Sequence, residues 1–330
     1  MIKILQGNCM DKLKELEDES VQCVVTSPPY WGLRDYGTAK WEGGDENCEH
    51  LADRSEYEKN YTKAKQSTNK GSSNRDIVGK WECPKCKAIR IDSQLGLEET
   101  PQEYVETLVN VFREVKRVLR NDGVVWLNLG DTYVGTCPKG DIKDPKDPEG
   151  RNAQKIALNH KVKGLKSKDL AGIPWRVALA LQDDGWYLRQ DIIWAKNNPM
   201  PEPVKDRCTK SHEYIFLLTK NSHYYYDNEA IKEDSGKRNR RDVWNMPTPK
   251  YSEAHFATFP LLIPEICIKA STKEDDTILD MFAGSGTTGL VADRLNRNAI
   301  LIELNENYIK IIENRLRNDA PMFINIEKEN

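Results

Sequence analysis

The 330-residue sequence lacks any run of about 18 apolar residues and has no charged-then-apolar leader, which favours neither a membrane span nor secretion. We therefore expect a cytoplasmic protein with no membrane partner. The sequence also lacks an excess of one charge, because 49 Lys and Arg residues and 52 Asp and Glu residues give a formal net charge of −3. This balance excludes a wholly basic, histone-like protein but leaves room for a local basic face. The sequence contains no internal repeats.

A disulfide framework is not expected despite eight cysteines, since a cytoplasmic compartment keeps thiols reduced. A C-E-H motif supplies Cys48 and His50, and a C-P-K-C motif supplies Cys83 and Cys86, all within the polar stretch 40–92. We predict that these four side chains bind one structural Zn²⁺, because the stretch has too few apolar residues to offset its chain entropy. The alternative is that they are unrelated residues of a polar loop.

The apolar periodicity predicts an α/β protein. A helix is predicted to begin at Pro101 after the N-cap Thr100 and to end before Gly123. The predicted strands and units are, in chain order, Ile2–Gln6, Gln22–Thr26, 124–131, the paired runs 191–196 and 213–220, and a closing β-α-β-α unit over 276–316. Residues 134–170 are predicted to form a mobile loop.

The order of these elements predicts a circular permutation. A Gly-rich strand-to-helix turn normally opens a doubly wound sheet, and the other strands follow it. Here the turn at 284–289 is followed by little more than one strand and one helix, so the other strands must come from the N-terminal half. We predict a circularly permuted, Rossmann-like α/β sheet with helices on both faces.

The stretch "LDMFAGSGTTG" contains G-x-G-x-x-G at Gly284, Gly286 and Gly289, which is a weak signal for a bound nucleotide. Glu303, at the end of the next strand, can accept hydrogen bonds from ribose hydroxyls. Asp280 can hold a cationic amino group, which a methionine moiety has and a pyrophosphate lacks. The pattern therefore favours S-adenosylmethionine over NAD, and a tight turn without a ligand is the alternative.

The stretch Ser27-Pro28-Pro29-Tyr30 follows a buried strand and forms a stiff corner whose prolines offer acceptors but no N–H. Such a corner suits an exocyclic amine, whose protons would bond to the Pro28 carbonyl and to Ser27 while Tyr30 stacks on the base. A base inside a duplex cannot reach this geometry, so it would have to be flipped out of double-stranded DNA. A structural Pro-Pro turn with a core tyrosine is the alternative.

Together these motifs resemble the permuted class of amino-methylating DNA methyltransferases, in which the "[SDN]-PP-[YFW]" motif comes first and "F-x-G-x-G" comes last. The resemblance covers roughly 1–38, 94–132 and 250–318. Ser27 is similar to the residue of cytosine-N4 members, whereas aspartate is usual in adenine-N6 members, and Asn8 stands where an aspartate is frequent. The residues expected to bind the cofactor are Asn8, Asp280, Phe282, Ala283, Gly284, Gly286, Glu303, His255, Phe259 and Pro260.

The resemblance implies a catalytic half at 1–132, a target-recognition region at 133–250 and a cofactor-binding half at 251–330. Trp194 and Trp244 are candidate wedges or stacking surfaces for DNA. The candidate phosphate contacts are Lys161, Lys163, Lys237, Arg238, Arg240 and Arg241. For the last four, a solvated charge run is the alternative. Expected partners are double-stranded DNA and a cognate restriction endonuclease.

The function expected is methyl transfer from S-adenosylmethionine to the N4 amine of a flipped cytosine. Adenine N6 is the nearest alternative, and a DNA-binding module that has lost catalysis is another. Cys9, Cys23 and Cys267 are predicted to be small core residues, because no Pro-Cys motif for covalent attack at cytosine C5 is present. Asp131 is expected either to line the site or to cap a helix.

Overall fold

The computed structural model describes residues 1–33, 36–48, 80–83, 85–134, 164–233, 236–248, 259–319 and 326–329. The chain divides into two compact units, one formed by 1–35 with 95–330 and the other by 36–94. His50, Lys161, Lys163, His255 and most of the predicted mobile loop lie outside the described residues.

The larger unit is built on a nine-stranded sheet in the order β12-β1-β11-β10-β2-β6-β8-β7-β9 within the described residues. Its strands are β1 (Ile2–Gln6), β2 (Val21–Thr26), β6 (Leu119–Leu129), β7 (Tyr187–Lys196), β8 (His212–Thr219), β9 (Val243–Met246), β10 (Thr277–Asp280), β11 (Asn298–Glu303) and β12 (Ile326–Glu329). Strands β3 (Lys40–Glu42), β4 (Lys80–Glu82) and β5 (Ile89–Ile91) belong to the smaller unit. All neighbours in the nine-stranded sheet are parallel except that β8 runs antiparallel to both β6 and β7. The predicted pairing of the two middle strands is thus confirmed.

Helices cover both faces of this sheet. They are α1 (Cys9–Lys14), α2 (Pro101–Val118), α3 (Ile173–Asp183), α4 (Leu262–Ser271), α5 (Thr287–Arg294) and α6 (Glu306–Asp319). One apolar core contains buried residues of α1, α2 and α3, and the other contains buried residues of α4, α5 and α6. Alternate residues along a strand enter different cores, as Cys23 and Val24 do in β2, because side chains of a strand point to opposite faces.

The start of α2 has the N-cap Thr100 that the sequence predicts, and the structure shows that this cap is a reciprocal capping box. The Thr100 side chain accepts from the Glu103 amide at 3.2 Å, and the Glu103 carboxylate accepts from the Thr100 amide at 3.2 Å. The prediction that Gly123 directly follows the helix is wrong, since α2 ends at Val118 and β6 begins at Leu119. Gly123 lies inside β6, where a Cβ atom would come within 2.8 Å of the Gln22 carbonyl oxygen. This glycine permits close strand approach and does not end a helix.

The sequence does not predict two strands of the sheet, and two others, β6 and β7, begin before their predicted runs. β12 lies in the C-terminal tail and pairs with β1, and β9 pairs with β7. β7 begins at Tyr187, four residues before the predicted run, which extends the sheet at this side.

The smaller unit contains a three-stranded antiparallel sheet in the order β3-β5-β4. Each of its strands is three residues long, so its backbone hydrogen bonds alone give little stability. The sequence did not predict these strands.

Cys9, Cys23 and Cys267 are buried in the larger unit, as predicted. Burial raises the pKa of the Cys9 thiol to about 12, and burial also raises the pKa values of the Cys23 and Cys267 thiols. None of the three is a thiolate nucleophile at neutral pH. Among the described residues, no helix has both the length and the apolar character needed to cross a bilayer.

Candidate active site

The candidate site lies along one edge of the large sheet. β2, β10, β11 and β6 are mutually aligned parallel strands, so their carboxyl ends meet at this edge. The Ser27 corner follows β2, and the Gly-rich turn follows β10, its direct neighbour. The two sequence motifs, separated by about 250 positions in the chain, therefore come to adjacent strand ends.

The three glycines of the turn have different roles. Gly284 has φ +51°, and a Cβ added there would meet only the Phe282 carbonyl oxygen, at 3.9 Å. A Cβ at Gly286 would be 2.8 Å from Ile312 Cγ2, and one at Gly289 would be 2.6 Å from Leu301 Cδ1. Only Gly284 therefore leaves open space beside the backbone, while Gly286 and Gly289 allow α5 to pack on α6 and β11.

Asp280 is 2% exposed and ends β10 with its carboxylate in an internal hydrogen-bond network. It accepts from the Thr26 hydroxyl at 2.7 Å, the Thr288 hydroxyl at 2.7 Å and the Phe282 amide at 3.2 Å. Burial raises the pKa of Asp280 to about 6 even though these hydrogen bonds lower it. Asp280 thus links β2, β10 and α5, and its predicted contact with a cofactor amino group remains a prediction.

Glu303 ends β11 and faces the same turn. Its carboxylate accepts from the Gly284 amide at 2.8 Å and from the Asn305 amide at 2.8 Å. Burial is the largest influence on this group and raises the pKa of Glu303 to about 7, while the two amides act in the opposite direction. Glu303 therefore fixes the Gly284 backbone and changes its charge near neutral pH.

The Ser27–Tyr30 corner is held from two sides. The Tyr104 hydroxyl of α2 donates to the Pro29 carbonyl at 2.8 Å. The Tyr30 ring lies against Gly130, where a Cβ atom would be 2.5 Å from Tyr30 Cε2. Because any side chain at Gly130 would displace the ring, this glycine sets the position of Tyr30.

Two further side chains join the corner, and the sequence did not identify either. The Asn128 amide donates to the Tyr30 hydroxyl at 2.9 Å, to Glu213 Oε2 at 3.0 Å and to Ser27 Oγ at 3.3 Å. The Tyr30 hydroxyl donates to Glu213 Oε2 at 2.7 Å. Asn128 Oδ1 is buried and has no hydrogen-bond partner among the described residues. The hydrogen bonds that hold the Asn128 side chain are therefore those donated by its amide nitrogen.

Glu213 reaches the site because β8 is antiparallel. The first residues of β8, and not its last, lie at the edge where the parallel strands end. Lys196 at the end of β7 forms an ion pair with Glu213 Oε1. In the sequence, Asn128 could have been noticed as a polar residue inside the apolar run "VVWLNLGD". Glu213 has no such feature, because its position at the site depends on the direction of β8.

Asp131 caps a helix. Its carboxylate accepts from the amides of Gly172 at 3.1 Å and Ile173 at 3.1 Å, at the start of α3. Lys210 donates to the Asp131 carbonyl at 2.6 Å, and burial lowers the pKa of Lys210. The capping alternative is therefore the one that the geometry supports.

The other predicted cofactor residues have local structural contacts. Asn8 is the N-cap of α1 and accepts from the Met10 amide at 2.8 Å. Ala283 is buried, and its amide donates to the Ile302 carbonyl at 3.0 Å. Phe282 and Phe259 are half-buried and pack against opposite cores, and Pro260 accepts from the Ile263 amide at 3.0 Å. Their predicted contacts with the cofactor remain predictions.

The basic run 237–241 converges on one acid. Arg238, Arg240 and Arg241 lie 3.6, 4.0 and 3.1 Å from the carboxylate oxygens of Glu233. Burial acts to raise the pKa of Glu233, but hydrogen bonds from Arg241 and the Coulombic attraction of Arg241 and Arg240 together lower it. The Arg238 and Arg241 side chains remain 50% and 67% exposed, so both can reach an external anion.

The prediction that two tryptophans contact DNA is wrong. Trp194 is 2% exposed and Trp244 is 4% exposed, and both belong to the apolar core of the larger unit. The Trp194 indole donates to the Met246 carbonyl at 3.1 Å, and the Trp244 indole donates to the Arg241 carbonyl at 2.8 Å. Their apolar rings stabilise β7 and β9. The local sequence does not show whether a tryptophan packs in the core or stacks on a DNA base.

In the smaller unit, the thiols of Cys48, Cys83 and Cys86 come together, with all three sulfur atoms within 4.8 Å of one another. His50, the fourth ligand predicted from sequence, lies outside the described residues.

A doubly covered sheet with a Gly-rich turn and a Ser-Pro-Pro-Tyr corner at adjacent strand ends defines a methyltransferase-like α/β protein. Residues 21–314 match the family model N6_N4_Mtase, described as DNA methylase. This match covers most of the chain, and the chain therefore belongs to the DNA methylase family.

Similar proteins agree with this assignment. The type II methyltransferase M.Cfr9I of Citrobacter freundii is 42% identical over 327 residues, which cover 98% of this chain and 90% of that protein. A putative DNA modification methylase of Thermus thermophilus, solved with S-adenosyl-L-methionine, superimposes with a TM-score of 0.59 at 20% identity and covers 100% of this chain and 98% of its own. The cytosine-N4-specific PvuII DNA methyltransferase gives 0.59 at 19% identity, with 98% and 94% covered. The two solved structures show the shared fold.

Proposed function

We propose that this chain transfers a methyl group from S-adenosylmethionine to the exocyclic N4 amine of a cytosine flipped out of duplex DNA. The observation that carries the proposal is the meeting of the Ser27 corner and the Gly284 turn at the ends of β2 and β10. An amine acceptor and a methyl donor need to lie within reach of each other, and adjacent strand ends allow this.

The residues around the turn fit the cofactor. A ligand can approach the Gly284 backbone, since among the described residues the only non-adjacent atom within 4 Å of a Cβ built there is the Phe282 carbonyl oxygen. Glu303, already aligned by two backbone amides, would accept the ribose hydroxyls, and Asp280 would contribute negative charge toward the amino group. When bound, S-adenosylmethionine supplies an electrophilic methyl group. Phe282, Phe259 and Pro260 would enclose its apolar parts.

The corner would activate the target amine. An exocyclic amine is a poor nucleophile because its lone pair is delocalised into the base. Hydrogen bonds from its two protons to the Pro28 carbonyl and Ser27 Oγ would direct that lone pair out of the ring plane. The Pro29 carbonyl is already bonded to Tyr104, so we assign the amine contact to Pro28. Tyr30 would stack on the flipped base.

Ser27 supports cytosine N4 over adenine N6, because serine in this position resembles the cytosine-N4 members. Adenine N6 is the second candidate, since both targets are exocyclic amines attacked by the same route. The similarity to M.Cfr9I, a type II methyltransferase, supports a cognate restriction endonuclease as partner. The order of the motifs, with the corner first and the Gly-rich turn last, supports a permuted chain.

The test is nucleoside analysis of DNA methylated by the purified protein with labelled cofactor. We expect N4-methylcytosine, while N6-methyladenine would replace the cytosine assignment and unlabelled DNA would overturn the proposed activity. Ser27→Ala should lower the methylation rate about 10²–10³-fold, because one placed hydrogen-bond group in such a site commonly contributes this much. Cofactor affinity should be unchanged. Ser222→Ala, at an exposed serine, is the matched control.

A further inference from the structure

The smaller unit, 36–94, brings together three thiols from two separate turns. Cys48 ends the turn that follows β3, Cys83 directly follows β4, and Cys86 lies in the turn between β4 and β5. Cys48 Sγ and Cys83 Sγ are 3.9 Å apart although 35 positions separate them. The convergence therefore depends on the fold of the unit and not on local sequence alone.

The sulfur spacing fits a metal better than a disulfide. A disulfide needs sulfurs about 2.05 Å apart. A tetrahedral Zn²⁺ with Zn–S bonds of about 2.3 Å places neighbouring sulfurs about 3.8 Å apart. The 3.9 Å between Cys48 and Cys83 matches this second spacing, and the third sulfur lies within 4.8 Å of both.

The backbone on the Cys83 side is shaped to present two thiols together. The Cys83 amide donates to the Ala88 carbonyl at 2.7 Å, and the Lys87 amide donates to the Cys83 carbonyl at 2.8 Å. Lys87 has φ +67°, a left-handed conformation that is costly for a residue with a side chain. This tight turn brings Cys86 back beside Cys83.

The backbone on the Cys48 side closes over the same sulfurs. Gly44 has φ +76°, and a Cβ there would be 2.8 Å from both Cys86 Sγ and Ala88 Cβ. The Cys48 amide donates to the Asp45 carbonyl at 3.0 Å, which folds the chain between them into a turn. Two turns with left-handed residues thus surround one group of thiols.

The described part of the unit buries few apolar residues. Cys83 and Ala88 are its buried apolar residues within the described part, while Ile89 and Ile91 are 40% and 38% exposed. Small units of this kind usually require disulfides or a metal, because burial does not offset their chain entropy.

We propose that Cys48, Cys83 and Cys86 bind a structural Zn²⁺ that keeps the 36–94 unit folded. Thiolates are ligands that zinc prefers, and three of them supply most of a closed tetrahedral site. The proposal does not depend on the proposed methyl transfer, which uses residues of the other unit.

The first experiment measures zinc in the full chain by elemental analysis and by release with a thiol reagent. We expect close to one zinc per chain, lost in Cys83→Ser and Cys86→Ser and retained in Cys208→Ser, whose thiol is exposed in the larger unit. Replacement of zinc by Co²⁺ should give thiolate-to-metal absorption bands that Cys48→Ser weakens.

Local unfolding of the serine variants could by itself release metal, so a second measurement uses the wild-type chain. Chelation should make the 36–94 segment sensitive to protease, and added Zn²⁺ should restore resistance. Zinc-free wild-type protein with unchanged resistance, or a Cys48–Cys83 disulfide found by mass spectrometry after alkylation, would overturn the site. Either result would leave the methyl-transfer proposal intact, since DNA labelling tests that separately.

Discussion

Tyr30 donates a hydrogen bond from its hydroxyl to the Glu213 carboxylate at 2.7 Å, across 183 positions of sequence. Asn128 donates to both of these groups, at 2.9 and 3.0 Å, and Lys196 pairs with the other oxygen of Glu213. Gly130 contacts the side of the ring at the same time. Tyr30 is therefore fixed at its ring and at its hydroxyl, and Glu213 acts as a positioning residue for the proposed stacking surface.

We predict that Tyr30→Phe keeps the ring but loses this anchor. A hydrogen bond to a charged group contributes about 1.5–3 kcal/mol, so a fall in methylation rate of about 10–10²-fold is expected. Tyr30→Ala should lose far more, because stacking is removed as well. Single-turnover methyl transfer measures both effects, and calorimetry should show cofactor affinity unchanged.

Glu213 provides the matched test of positioning. Glu213→Gln keeps an acceptor for the Tyr30 hydroxyl, and it should retain more activity than Glu213→Ala, which removes the acceptor for Tyr30 and the ion pair with Lys196. Equal loss in the two Glu213 variants, or a wild-type rate in Tyr30→Phe, would show that the anchor does not serve the reaction.

Sequence alone predicted the parts of the site that depend on local chemistry. The Ser27–Tyr30 corner and the Gly284 turn are each a weak signal alone, but they point to one site when taken together, and both lie at strand ends. Glu213 could not be found in this way, because its place depends on β8 running antiparallel to β6. That direction is set by the packing of distant strands and leaves no mark on the residues near Glu213.

For the fold as well, the sequence predicts the features that depend on local residues and fails where distant residues decide. The N-cap at Thr100 and the closing β-α-β-α unit follow from local patterns, and the structure contains both. The role predicted for Gly123 is wrong, because glycine after a helical pattern usually marks the end of the helix. Here Gly123 lies in a strand, where its lack of a side chain leaves room for the Gln22 carbonyl of a neighbouring strand. The predicted DNA contacts of Trp194 and Trp244 are wrong because the exposure of an aromatic residue depends on the tertiary structure and not on its sequence neighbours.

The glycines of the turn allow ligand binding and packing to be separated. Gly284→Val places a side chain in open space among the described residues, and its left-handed φ of +51° adds backbone strain of about 1–3 kcal/mol, so we expect loss of cofactor binding with a moderate loss of stability. Gly289→Val places Cβ 2.6 Å from Leu301 Cδ1, so we expect a clear fall in melting temperature. Calorimetry and thermal denaturation of both variants provide the measurements. Undiminished cofactor affinity in Gly284→Val would contradict the assignment of this turn.

Glu303 should make cofactor binding dependent on pH. Burial raises its folded pKa from 4.5 to about 7, so the carboxyl is largely neutral below neutral pH. Ribose hydroxyls bond more strongly to the ionised form, and affinity should therefore rise as pH increases through about 7 and then level off. Glu303→Gln should bind more weakly at high pH and remove this rise. A rise of the same size in the variant would assign the titration to another group.

The raised pKa of Glu303 should also make the stability of the unliganded protein depend on pH, and this stability should fall with rising pH where cofactor affinity rises. The unfolded chain ionises Glu303 near 4.5 and the folded chain near 7, so this group lowers stability progressively as pH rises between those values. The lost stability is about 3 kcal/mol for a shift of this size. Glu303→Gln should therefore be more stable than wild type above neutral pH in denaturant titrations, even though it binds the cofactor less well.

The basic run 237–241 should contribute to DNA binding by neutralising phosphates. The Arg241 side chain is 67% exposed despite its pairing with Glu233, and Arg238 and Arg240 remain near that acid when Arg241 is replaced. In Lys237→Gln/Arg241→Gln, affinity for all DNA sequences should fall, and the slope of log K against log salt should become shallower by about 0.9 for each phosphate that the variant no longer neutralises. Lys310→Gln, which removes an exposed lysine of α6, is the control. Fluorescence anisotropy over a salt series measures the slopes, and an unaltered slope in the double variant would assign these charges to solvent.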